Sequence, residues 1–146
     1  MYKHILIPTD GSATADKAVD AGFEFARETN AKVTLFTAVP EYQLPTEAEM
    51  MARRAVSLDE HERNSRVKAR RILDTAAARA GEGVEVKTDY VQSDRPYWAI
   101  IEAAERNGCD VIFIGSHGRK GLQELLHGSQ THDVLTHSDI PTLVYR

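Results

Sequence analysis

Cysteine is almost missing from this chain. Cys109 is the only one among 146 residues, which excludes an internal disulfide. With Arg106 as its one cationic neighbour in sequence, and an apolar run directly after it, it reads as a structural thiol. Long apolar runs are missing too: none reaches the ~18 residues that a membrane-spanning helix needs. Positive charge is not in excess, since 18 Lys and Arg face 22 Asp and Glu for a net charge of −4. Neither nucleic acid nor an anionic membrane therefore finds an electrostatic footprint. Aromatic residues make up only 7%, and the one tryptophan, Trp98, follows Tyr97 where a helix is expected to start. The opening "MYKHILIPTDGS" holds a four-residue apolar run, too short for a secretory signal, so a cytoplasmic location is expected.

What is present alternates. "HILIP" (4–8), "AKVTLFTAV" (31–39), "VEVKTDYV" (84–91), "DVIFIG" (110–115) and "PTLVYR" (141–146) are short, β-rich runs. Most are apolar on both faces, as strands of a covered parallel sheet are, and 84–91 alternates like a less buried strand. Between them lie helical patterns. From Ser12, a plausible N-cap, to Thr29, the residues Ala15, Ala18, Val19, Gly22 and Ala26 recur at helical spacing. Residues 46–80 carry Leu58, Ser65, Ala69, Ile72, Leu73, Ala76 and Ala80 on one face. "SLDE" at 57–60 fits a capping box, so this segment is one irregular helix or two. Its Arg and Glu residues read as a solvated face. Pro96 to Asn107 has an apolar stripe of Ile100, Ile101 and Ala104, with Gly108 as a stop. The stretch "PEYQLPTEAE" (40–49), with two prolines, is expected to be the least ordered. No linker or repeat divides the chain, so residues 1–146 read as one domain.

The β-α-β-α-β-α-β-α-β order predicts a doubly wound parallel α/β sheet with right-handed crossovers. Ligands of such sheets sit beyond the carboxyl ends of the strands, where strand order reverses. "PTDGS", "TAVP" and "GSHG" fall at those ends and should converge. The last of these opens "IGSHGRKGLQELLHGSQT" (114–131), where Gly115, Gly118, Gly128 and Ser129 give the spacing G-x2-G-x9-G-S. After them "QTHDVLTHS" reads as a helix start that Ser129 or Thr131 can cap, and free N–H groups there form an anion site. The glycines either let phosphates reach backbone N–H groups or serve tight turns; spacing alone leaves both open. The pattern is not a P-loop, because Gly128 is followed by Ser129 and Gln130 and the lysine of that motif is absent. It is not the dinucleotide fingerprint, because "TDGSATAD" follows the first strand.

"ILIPTDGS", "DVIFIGSHG", the terminal "IPTLVYR" and this glycine spacing together resemble the universal stress protein family, in its ATP-binding branch, over the whole chain. The resemblance implies a five-stranded parallel sheet in the order 3-2-1-4-5. It implies ATP, ADP or AMP as ligand, with Mg²⁺ held through the phosphates. Pro8, Thr9 and Asp10 match the loop after the first strand, with Asp10 beside the ribose or the metal. Ala38 or Val39 matches the backbone position beside adenine, and Ile114 and Gly115 would flank the nucleotide. Gly118 would admit the phosphates, which Gly128, Ser129, Gln130 and Thr131 would bind. The family commonly has a small apolar residue in place of Gln130, and Gly near Gln92 or Ser93. A homodimer through the edge segment Thr142–Tyr145 is also implied.

Other residues keep two readings. Asp10 caps the first helix or meets ligand. His117 is a loop residue or a base, and Arg119 and Lys120 face phosphates or solvent. His127, His132 and His137 lie five apart, a poor spacing for one metal site. Phosphoryl transfer needs placed cations and a positioned nucleophile, for which only Asp10 or His117 offers itself. A nucleotide-binding regulatory module is therefore expected ahead of an ATPase or phosphotransferase. A scaffold without nucleotide fits the complete glycine pattern least.

Overall fold

The computed structural model describes residues 1–116 and 130–146. Along the chain these form β1 (His4–Pro8), α1 (Ala13–Thr29), β2 (Lys32–Val39), α2 (Glu47–Met51) and α3 (Leu58–Ala77). Then come β3 (Val86–Gln92), α4 (Pro96–Arg106), β4 (Val111–Gly115), α5 (Gln130–His137) and β5 (Thr142–Tyr145). The strands make one five-stranded sheet ordered β3-β2-β1-β4-β5, and every neighbouring pair is parallel. Strand order reverses beside β1, between β2 and β4, in the order that the family resemblance implies.

Alternate residues of the strands serve two cores. Ile5, Ile7, Val33, Leu35, Val111 and Phe113 face α1 and α3, where Val19, Phe23, Ala26, Leu73 and Ala76 meet them. Leu6, Phe36, Ile112 and Ile114 face the other way, onto Ala99, Ile100, Ala103 and Ala104 of α4 and Val134 of α5. This is why β1 reads as an unbroken apolar run: Ile5, Leu6 and Ile7 are all fully buried, each contributing roughly 1.5–3 kcal/mol. At the sheet's edges β3 and β5 are only half-buried. Between α1 and the sheet, Gly22 lets the helix close on β1, since a Cβ there would come within 2.5 Å of Ile7 Cδ1.

Helix ends follow the local chemistry. Ser12 caps α1 by accepting from Ala15 N, and the helix closes on Asn30 at φ 56°. Gly108, at φ +68°, turns the chain out of α4 as expected. Residues 46–80 do hold two helices. Ser57 Oγ accepts from Glu60 N, but the full reciprocal capping box forms one helix earlier, between Thr46 and Glu49. Leu58, expected on the buried face of α3, is half-exposed because it lies in the first turn, before the helix reaches the sheet.

The stretch 40–49 is not loose. Asp94 accepts from Glu41 N and Gln43 Nε2, and His61 Nε2 lies 3.0 Å from the Pro40 carbonyl. Its two prolines stiffen a strap that these bonds fasten. Tyr97 and Trp98 do open α4, with Trp98 partly exposed beneath the Arg95 guanidinium. No helix among the described residues is long and apolar enough to cross a membrane.

Candidate nucleotide site

The loop after β1 is built by its own side chains. Thr9 N donates to Phe36 O at 2.8 Å, carrying the β1–β2 ladder one residue past the strand. Thr9 Oγ1 then accepts from Gly11 N, and Asp10 Oδ1 accepts from Ser12 N at 2.9 Å. Gly11 supplies the left-handed turn, φ +80°, that lets the chain swing into α1. The result is a short fixed loop with Thr9 buried and the Asp10 carboxylate exposed. Asp10 does not cap α1; Ser12 does, so the carboxylate keeps an oxygen clear of the helix.

Beside this loop, β2 ends at Ala38 and Val39. Ala38 is half-buried against the α4-side core, Val39 is buried, and the Val39 carbonyl accepts from Ser93 N at 2.8 Å. Ile114 packs its side chain into the same core, which leaves its backbone as the part that can border a ligand. Gly115 ends β4 where a Cβ would stand 2.9 Å from the Cβ of Ala18.

At the start of α5, Thr131 is buried inside the helix and donates from Oγ1 to Gly115 O at 2.9 Å. The expectation that Thr131 caps this helix is thus corrected: its hydroxyl ties α5 to the end of β4, and only its backbone N–H faces the helix terminus. Next to it, Gln130 Oε1 is buried without a hydrogen-bond partner among the described residues. A buried amide oxygen left unpaired is costly, so this acceptor calls for a donor beyond the described residues.

Pro8, Thr9, Asp10, Ala38, Val39, Ile114, Gly115, Gln130 and Thr131 thus cluster at the carboxyl end of the sheet around the reversal of strand order. His117, Gly118, Arg119, Lys120, Gly128 and Ser129 lie outside the described residues. Two contributors were not assigned from sequence. Gly11 was signalled by the D-G dipeptide, whereas Ala18, which sets the spacing to Gly115, has no local signal. Among the described residues no cluster of His, Cys, Asp or Glu could hold a metal by itself. The exposed Asp10 carboxylate and the first N–H groups of α5 fit a phosphorylated ligand that brings its own cation.

The universal stress protein family model matches residues 1–146. Universal stress protein YxiE of Bacillus subtilis is 32% identical, with both chains covered in full. Universal stress protein MJ0577 of Methanocaldococcus jannaschii is 31% identical over all of this chain and 96% of its own. Its solved structure matches with a TM-score of 0.72, covering 99% of this chain and 95% of that one. A universal stress protein solved in complex with cAMP matches with a TM-score of 0.65 at 24% identity, covering 99% and 97%, and shares the fold. With the whole chain matched and the sheet order 3-2-1-4-5 in place, this protein belongs to the universal stress protein family.

Proposed function

We propose that this chain is an adenine-nucleotide-binding regulatory module, taking ATP, ADP or AMP at the carboxyl end of the sheet with slow or no turnover. The observation that carries the reading is the start of α5 tied by Thr131 to Gly115 at the end of β4, beside the loop after β1 that exposes the Asp10 carboxylate, where strand order reverses. The glycine spacing of 115–128 supports it, as does a cAMP complex of the same fold. In this reading Ala38 and Val39 border the adenine and Gly118, Gly128, Ser129 and Gln130 receive phosphates. Asp10 faces a phosphate-bound Mg²⁺, which would neutralise the phosphates' charge. Residues 1–146 act as one unit, and β5 pairs two copies in the cytoplasm.

Mass spectrometry of nucleotide released from the purified protein tests the ligand, and a thermal melt with Mg-ATP tests the affinity. At about 100 times its dissociation constant a ligand adds about 2.7 kcal/mol, which raises the melting temperature of a domain this size by about 5–10 °C. A melt unmoved by millimolar Mg-ATP, with no nucleotide retained, overturns the proposal. Steady-state phosphate release separates the module from the ATPase or phosphotransferase reading. The Asp10 carboxylate is already engaged by Ser12 N, which suits holding a ligand better than attacking one.

A further inference from the structure

The amino end of the sheet carries a buried polar cluster that the nucleotide reading does not use. His4, the first residue of β1, is only 6% exposed, and its Nε2 lies 2.7 Å from Oγ1 of the fully buried Thr34 on β2. Cys109, just ahead of β4, is buried as well, and the Thr34 side chain is among the groups that bear on its thiol. His4 N and Lys3 N both donate to the Asp110 carboxylate, and Asp110 N donates back to His4 O. One imidazole therefore sits where the beginnings of β1, β2 and β4 are fastened together.

We propose that His4, Thr34 and Cys109 form an acid-responsive latch: the neutral imidazole holds the start of β1 in the sheet, and its protonation releases it. Within hydrogen-bond reach the charged ring would have one partner, the Thr34 hydroxyl, at a site closed to water. Lys32 on β2 and Lys87 on β3 oppose a positive charge there, and Asp110 and Glu85 favour it. From α4 the nearest charges are spent, because Arg106 pairs with Asp89 at 2.6 Å. Burial, then the two lysines, hold the His4 imidazole below its usual 6.5. Between 6.5 and that lower folded value the unfolded chain carries a proton the native site rejects, so falling pH costs stability across that window. The opening is local because Ile5, Leu6 and Ile7, directly after His4, remain locked in both cores.

Cys109 is a built-in reporter, being the chain's only thiol. Burial pushes its pKa up to about 11, so it stays protonated and protected while the latch is closed. Labelling with dithiodipyridine, relative to the urea-unfolded chain at the same pH, gives its protection free of the thiol's own titration. Protection is expected to fall by up to about tenfold per pH unit below about pH 6.5, the limit for one linked proton. It should show little dependence on low urea, as local openings do. His4→Gln keeps a neutral amide nitrogen near Thr34 and is expected to flatten the pH dependence. Equal acid loss in that variant, or loss carrying the full urea slope of global unfolding, overturns the latch. Should the variant fail to fold, NMR titration of the native chain decides: a His4 ring titrating at or above 6.5 also overturns it.

Discussion

Gly115 and Ala18 meet so closely that a Cβ on the glycine would stand 2.9 Å from the alanine's own. The contact joins the end of β4 to α1, on the rim of the candidate site, and gives the first glycine of the G-x2-G-x9-G-S pattern a packing role. Gly115→Ala is expected to cost about 1–3 kcal/mol, because neither the strand nor the helix can yield freely. Ala18→Gly in the same chain should recover part of that, less the roughly 1 kcal/mol a helical glycine costs. Urea denaturation of the four chains in a double-mutant cycle measures the coupling. If Gly115 mattered only to a ligand, the single variant would keep its stability and lose affinity alone.

Thr131 gives a second separation. Its hydroxyl holds the Gly115 carbonyl at 2.9 Å, from inside α5. Thr131→Val preserves the shape and removes the donor, and an expected loss of about 0.5–1.5 kcal/mol follows from one hydrogen bond. ATP affinity should drop as well, because α5 loses its tie to β4 while keeping every backbone N–H. An unchanged affinity by calorimetry would mean that the position of α5 does not set the site.

The strands and the two-sided core were legible because β1 and β4 are buried on both faces and carry the composition of such strands, whereas the order of the strands came from the family resemblance. Asp10 stood out as a candidate because a carboxylate follows directly after a strand end. What sequence could not supply was the set of contacts between distant segments. Nothing local to Gly115 announces Ala18, nearly a hundred positions earlier. Nothing in "PEYQLPTEAE" announces that Asp94 will fasten it. Thr131 looked like a cap because Ser and Thr near a helix start usually are, but a carbonyl at the end of β4 claims its hydroxyl. The polar cluster of His4, Thr34 and Cys109 was hidden for the same reason: three separate segments contribute one residue each.

A dimer through β5 can be tested without breaking the sheet. Ile112 N donates to Pro141 O and Ser116 N to Tyr145 O, so the odd-numbered positions of this segment face β4. Thr142 and Val144 then turn their backbone groups outward at the edge, where a second copy can add its own β5 about a two-fold axis. Val144→Pro removes one outward donor and is tolerated best on an edge strand. Sedimentation at micromolar concentration is expected to show a dimer for the parent chain and a monomer for the variant, with far-ultraviolet circular dichroism unchanged. A parent chain that sediments as a monomer rejects the dimer.

Asp10 allows the loop's shape and its charge to be tested apart. Its Oδ1 accepts from Ser12 N at 2.9 Å, a turn that asparagine makes equally well. Asp10→Asn therefore keeps the loop and removes only the negative charge. Asp10→Ala removes both. If the carboxylate faces a phosphate-bound Mg²⁺, the Asn variant should bind ATP alone about as well as the parent does but lose the gain that Mg²⁺ gives. A drop of about tenfold in Mg-ATP affinity corresponds to about 1.4 kcal/mol, a modest share for one carboxylate near a hydrated cation. The Ala variant should lose the same Mg²⁺ gain and also some stability, about 0.5–1.5 kcal/mol for the turn. Calorimetric titration with ATP in EDTA and in excess Mg²⁺, beside urea denaturation, reads both quantities. An Asn variant that retains the full Mg²⁺ effect would show that the metal is held elsewhere, and Asp10 would be left as a turn residue at the mouth of the site.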